Sequence, residues 1–405
     1  MMANLDTARE SRAAAAIACV LAGALTCCGA RTAVEISPRD ASTEVRLDAG
    51  PSDAGPRPSA CDPPTATCTW RAGETVPLGD GPAQRIVGAA SCDRGEFAFA
   101  YAESSLEPWT RARVVGGSPL RVIADVALPR DSLSMFDTRE GWVNVGVARP
   151  RGVCTIDWRR ADFSIERVDT IAGTYFRCDA DMTGEDEFTI FALAASPEDR
   201  SSVHVVSISS RRIVRSVELP DVARFVVTAR TVPDGNILAL FLTRNDFPLF
   251  SHVGAVLVGG DGRALIETGV REFSSINPQP DREGPGFIAM LNDASFLEIR
   301  LVRVASDSDS IRTEDLGVLT GPGSTLSSNA GELTTLPHHY LARGADGRMW
   351  TVGTDDMSIR VIPPPDVAFF ELSGGGIASS YGTAYVAHIW SDRSRVFLRR
   401  LSCEP

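Results

Sequence analysis

From Thr69 to Pro405 the apolar positions fall in short runs, alternating or continuous, broken every ten residues or so by Gly, Asp and Pro. Phe97 to Tyr101, Val203 to Val206, Ile237 to Leu242, Gly254 to Val258 and Arg395 to Leu398 read as strands. No stretch carries the i, i+3, i+4, i+7 apolar stripe of a three-turn amphipathic helix. Many short strands with regular turn signals predict an all-β chain built as a sandwich, a barrel or a propeller.

The period separates these. A turn glycine closely followed by an apolar strand occurs at Gly95, Gly141, Gly184, Gly235, Gly286, Gly331 and Gly382, at intervals of 46, 43, 51, 51, 45 and 51 residues. After Gly141 come Trp142 to Val147, Val153 to Trp158 and Ile165 to Ile171. After Gly184 come Phe188 to Leu193, Val203 to Ile208 and Ile213 to Leu219. Four strands in about 45 residues match one propeller blade, so an all-β, seven-bladed β-propeller is predicted, with six and eight blades as the neighbouring counts. Pro337 interrupts the second strand of the sixth unit, where it would sit at a bulge or an edge. The seventh unit ends one strand short. The ring therefore needs a strand from elsewhere, and Glu74 to Leu78 is predicted to pair with Arg395 to Leu401.

Arg9 and Arg12 precede a short apolar run, Ala13 to Thr26, which ends in Leu25-Thr26-Cys27-Cys28-Gly29. A basic start, a short apolar stretch and small residues are the anatomy of a secretion signal. The end of the run resembles the lipobox of bacterial lipoproteins, with Cys27 where a smaller residue is usual. The resemblance implies that residues 1–27 are a signal peptide and that Cys28 is the lipid-bearing first residue of the mature chain. With Gly29 after the cysteine, it implies the outer membrane of the cell envelope, on its periplasmic or surface face. An ordinary cleaved signal is the plainer alternative. Residues 28–60 include Asp48-Ala49-Gly50-Pro51 and Asp53-Ala54-Gly55-Pro56 and read as a disordered tether of roughly 30 Å root-mean-square length. The propeller domain is then 61–405. Within it, Gly344-Ala345-Asp346-Gly347-Arg348-Met349-Trp350-Thr351-Val352-Gly353-Thr354 resembles the repeat signature of two-component-regulator-type propellers. That likeness carries no functional residue over.

Of nine cysteines, Cys19 and Cys27 would leave with the signal and Cys28 would take lipid. Cys61, Cys68, Cys92, Cys154, Cys178 and Cys403 remain. An even set beyond an export signal implies disulfides. The propeller scheme suggests Cys154–Cys178 and Cys92–Cys403 as staples between units, with Cys61–Cys68 as a local loop. Cys68–Cys403 is the rival pairing, since both flank the proposed closing strands.

Charge and residue inventory narrow the chemistry. The net charge of -12 argues against a nucleic-acid partner and leaves membrane contact to the N-terminal lipid. All 40 basic residues are arginine, which removes Schiff-base chemistry and the P-loop lysine. Neither H-E-x-x-H, G-x-S-x-G nor G-x-G-x-x-G occurs. His338 and His339 are expected on opposite faces of a strand and not as a zinc pair, while His204 and His388 are expected to be packed and hydrogen-bonded. Asp179-Ala180-Asp181-Met182-Thr183-Gly184 begins like a calcium loop, but the twelfth place holds Ile190 where a bidentate Glu belongs. Arg159-Arg160, Arg211-Arg212 and Arg399-Arg400 are expected to form surface salt bridges. No catalytic residue, metal ligand or cofactor is therefore predicted. The expected function is a monomeric, non-enzymatic module binding a protein or glycan. The alternatives are a hydrolase or lyase with its site in the central funnel, and a structural envelope component. A funnel with converging Arg, Tyr, Asp or His would favour the enzyme, and an apolar or featureless one the binding module.

Overall fold

The computed structural model describes residues 61–80, 85–102, 109–130, 133–148, 152–196, 199–223, 225–244, 251–273, 275–292, 299–307, 310–319, 332–343, 349–362, 374–392 and 395–404. The predicted signal peptide (1–27), the predicted lipid-bearing Cys28, the predicted tether (28–60), Gly331 and Gly344 to Arg348 lie outside the described residues.

The first strand is β1 (Thr69–Asp80). Four-stranded antiparallel meanders follow. Blade 1 holds β2 (Arg85–Ser91), β3 (Glu96–Ala102), β4 (Trp109–Gly116) and β5 (Arg121–Arg130). Blade 2 holds β6 (Ser134–Thr138), β7 (Gly141–Ala148), β8 (Val153–Arg160) and β9 (Ile165–Ile171). Blade 3 holds β10 (Tyr175–Met182), β11 (Glu187–Ala194), β12 (Ser202–Ser207) and β13 (Arg212–Glu218). Blade 4 holds β14 (Val226–Thr231), β15 (Ile237–Arg244), β16 (Ser251–Val258) and β17 (Ala264–Phe273). Blade 5 holds β18 (Ser275–Pro280), β19 (Gly286–Asn292), β20 (Ile299–Asp307) and β21 (Ser310–Val318). Blade 6 holds β22 (Glu332–Leu336), β23 (His339–Arg343), β24 (Met349–Gly353) and β25 (Ile359–Ile362). Blade 7 has β26 (Gly374–Ser379), β27 (Val386–Ser391) and β28 (Arg395–Glu404), and β1 is its outermost strand. The innermost strands β2, β6, β10, β14, β18, β22 and β26 lie side by side around the axis, with β26 returning to β2. The chain is a seven-bladed β-propeller.

The closing strand pairs as the sequence predicts: Thr75, Val76 and Pro77 face Arg399, Leu398 and Phe397. Pro77 is tolerated because β1 is an edge strand, whose outward side makes no ladder bonds. Pairing extends beyond the expected stretch, from Thr69 opposite Glu404 to Asp80 opposite Arg395.

The continuous apolar runs have a direct cause. Each second strand is buried on both faces, because a blade packs against a neighbour on either side. The core consists of seven clusters, one between each pair of adjacent blades. On β3, Phe97, Phe99 and Tyr101 face blade 7, while Ala98, Ala100 and Ala102 face blade 2. The alanines leave room for Trp142 of β7, which is fully buried against that face. Large side chains opposite small ones keep the interface dense.

The sixth unit corrects the sequence reading. Pro337 interrupts no strand. Together with His338 it forms the turn between β22 and β23, and Gly331 precedes that hairpin. His338 has φ 60°, the left-handed conformation that Gly95 (66°), Gly235 (84°) and Gly382 (70°) adopt in the corresponding turns. Histidine is among the residues that tolerate this region, so the glycine signal is lost there although the turn is kept.

The cysteines also differ. Cys154 of β8 and Cys178 of β10 are bonded, joining blade 2 to blade 3. The other pairs are Cys61–Cys92 and Cys68–Cys403, not Cys61–Cys68 and Cys92–Cys403. Residues 61–68 cross the ring along one face, where first and second strands are joined. Cys61 is tied to the first turn of blade 1. The Ala384 N–H donates to Asp62 O (3.0 Å) in blade 7, and His339 Nε2 contacts Thr65 O (2.9 Å) in blade 6. This path over three blades carries Cys61 away from Cys68. The pairing of β1 with β28 then brings Cys68 to Cys403.

Candidate functional site

The innermost strands and the turns after them enclose a cavity of about 880 Å³ on the same face. Its wall draws on six blades: Gly88, Ser134, Asp137, Asp181, Gln279, Glu332 and Ser380 are representative. The innermost strands lie side by side around the axis, so side chains far apart in sequence converge there. This makes the lining more polar than any stretch of sequence suggests.

Arg282 spans the mouth. It comes from the blade 5 turn and donates from Nη1 to Met182 O of blade 3 (3.1 Å) and from Nε to Thr335 O of blade 6 (3.3 Å). Its guanidinium lies 3.7 Å from the ring centroid of Tyr381, in the blade 7 turn. Burial lowers its pKa to about 10, against the pull of Tyr381, so it remains a cation at neutral pH. The turn that carries it is rigidly held. Arg230 of β14 donates from Nη1 to the carbonyls of Asp281, Gly284 and Gly286 at 2.8, 2.9 and 2.7 Å. Asp281, almost fully buried, accepts from Arg303 Nε (3.0 Å), and Arg303 Nη2 donates to Tyr340 Oη (3.0 Å).

Three carboxyls of the wall have raised pKa values, each chiefly through burial, which disfavours the charged form. Asp181 is raised to about 7, opposed first by the hydrogen bond it accepts from Thr228 Oγ1. Asp137 is raised to about 7, opposed by Arg94, whose Nη2 donates to it at 2.8 Å. Glu332 is raised to about 8, opposed by Arg343 and by the Ile377 N–H at 2.5 Å.

The residues singled out from sequence are largely elsewhere. Asp179 and Asp181 lie on β10 itself, so their oxygens do not curl around a cation. Asp179 pairs with Arg177, and Asp181 faces the cavity. His204 is buried between the Ser202 and Ser216 hydroxyls (both 2.8 Å), and His388 accepts from Arg343 Nε (3.2 Å). His338 is exposed in its turn, while His339 is buried in β23 beside the Cys68–Cys403 bond. The arginine pairs depart from the surface expectation. Arg159 is buried against Asp157 (3.2 Å), and Arg399 is buried over Trp390. Arg211 makes the exposed bridges expected, to Glu140 and Glu166. No sequence signal points to Arg282, Tyr381, Asp137 and Glu332, which are isolated along the chain and meet only when the ring closes.

No protein-family model matches the sequence, and no curated protein matches it. Among solved structures, the β-propeller domain of Cps50 (Swd1) from Myceliophteria thermophila superposes with a TM-score of 0.53 at 12% identity. The match covers 82% of this chain and 99% of that one. At this identity the likeness carries the fold alone: the chain is a β-propeller, and its activity has to be read from its own funnel.

Proposed function

We propose that this chain is a lipid-anchored envelope propeller, held at the outer membrane through Cys28, that binds a protein or glycan in its funnel without chemistry. The observation that carries the reading is the cavity of about 880 Å³, walled by six blades and capped by a turn locked through Arg230 and Arg303. A site held this rigidly loses little entropy on binding, and large pockets with convergent polar groups are where ligands bind. Propeller architecture itself favours a protein-binding role. Among the described wall residues no histidine is present, and no nucleophile stands beside an orienting base in the arrangement acyl transfer needs.

Two measurements test this. Ser380→Trp, which fills the mouth, is expected to abolish capture of the envelope ligand, while a substitution on an outer strand leaves capture intact; retained capture by Ser380→Trp refutes the funnel as the site. Cys28→Ser is expected to move the protein from the membrane to the soluble fraction, and an unchanged distribution refutes the anchor.

A second reading, a hydrolase or lyase in the same funnel, is the one that convergence of Arg, Tyr and Asp favours, and Arg282, Tyr381, Asp137 and Asp181 do meet in the funnel. Both carboxyls titrate near neutrality, where a general acid works best. Turnover of a glycan or ester panel that disappears in Asp181→Asn and Asp137→Asn decides for this reading.

A further inference from the structure

We propose that the funnel receives a cationic segment of a partner protein, a loop or tail presenting arginine or lysine, in preference to a glycan. The inference rests on the binding reading above and specifies its ligand. Among the described residues the wall carries seven carboxyl groups, of which burial holds Asp137, Asp181 and Glu332 partly protonated, against three arginines and no histidine. Two of the three arginines are already engaged. Arg211 is bridged by Glu140 and Glu166, and Arg282 lies on Tyr381. Among the described residues, none of Asp181, Glu185 or Glu332 has an arginine at ion-pair distance. A concave wall in which acidic groups outnumber basic ones focuses a negative field into the cavity and concentrates ligands of the opposite charge.

Arg282 shows which chemistry the mouth accommodates. Its guanidinium is held by two backbone carbonyls and the face of a tyrosine, all acceptor or π-donor groups. A partner's guanidinium or ammonium entering beside it meets the same carbonyl and carboxylate surroundings, with the rings of Trp158 and Phe136 lining the wall. Burial raises the pKa of Asp181 and Glu332 although Arg282 and Arg343 act on them, so a further cation in the funnel favours their charged forms. A neutral glycan brings no such compensation, and an anionic one is repelled.

The test is calorimetric titration of the purified full chain with three probes: a tetra-arginine amide, a tetra-glutamate and a neutral chito-oligosaccharide. Tetra-arginine is expected to bind, at least about tenfold more weakly in each of Asp181→Asn and Glu185→Gln (a factor equal to about 1.4 kcal/mol). Glu267→Gln, exposed on the outermost strand of blade 4, is expected to bind as the parent does. Asp181→Asn keeps an acceptor for Thr228, and Glu185 is exposed, so at least the second variant retains the fold. Absence of tetra-arginine binding, or binding insensitive to both funnel substitutions, overturns the inference. If the oligosaccharide or tetra-glutamate binds the funnel instead, the charge argument falls and the binding reading stands. Failure of the binding reading is seen separately, as capture that survives Ser380→Trp.

Discussion

Ring closure by Cys68–Cys403 should be the most stabilising of the three disulfides. It joins the lead-in to β1 with the end of β28 across 335 residues, whereas Cys61–Cys92 spans 31 and Cys154–Cys178 spans 24. Loop-closure entropy in the unfolded chain gives about 6 kcal/mol for the first, about 3.7 for the second and about 3.4 for the third. Those are upper values, because the unfolded chain retains structure and the β1–β28 ladder persists without the bond. Paired serine variants are therefore expected to lose about 3–5 kcal/mol for Cys68/Cys403 and about 2–3 kcal/mol for Cys154/Cys178. Urea unfolding followed by tryptophan fluorescence measures the order. Amide exchange locates the effect: in the Cys68/Cys403 variant Trp70 to Leu78 should lose protection, while Val143 to Val147 in blade 2 keeps it. An equal or larger loss from the Cys154/Cys178 pair, or an unchanged midpoint for the ring-closing pair, refutes the argument.

Other expectations are more local. Gly141 and Gly286 open the second strands of blades 2 and 5, and a Cβ at either would run into a carbonyl of the third strand, Arg159 O or Val304 O. Alanine at each should cost about 2–3 kcal/mol, read as a drop in Tm. His204 is held neutral by burial, its pKa lowered to about 4 from 6.5. The unfolded chain takes up that proton first, so the contribution of His204 is complete above pH 6.5 and is lost as pH falls towards 4, by up to about 3 kcal/mol. The raised carboxyls slope the other way, so the difference between parent and His204→Gln isolates the effect; a difference flat from pH 7 to 4 contradicts it. Arg230→Met should release the turn at residues 281–286, seen as faster amide exchange there and weaker ligand binding, with blade 2 unaffected.

Much of this architecture is legible along the chain. The double-sided burial of β7, β11, β15 and β19 writes itself as apolar runs, and turn glycines mark six of seven hairpins. Even the closing partner of Arg395 to Leu401 could be named, because a ring that ends one strand short must borrow one. Legibility stops where a local rule has more than one solution. His338 takes the left-handed turn position without being glycine, so the glycine period misplaces the hairpin of the sixth blade. The cysteines admit fifteen pairings, and only the path of residues 61–68 over blades 1, 7 and 6 selects among them.

Strand periodicity, acidity and the residue inventory determined by themselves that this chain is a closed, all-β repeat protein without the common nucleotide, zinc or serine-hydrolase motifs. These properties are local or additive, and each blade states them again. The funnel was decided by tertiary structure alone. Asp181, Arg282, Glu332 and Tyr381 come from four blades and stand 101, 50 and 49 residues apart. Their proximity, and the burial that perturbs their charge, exist only once seven sheets share an axis.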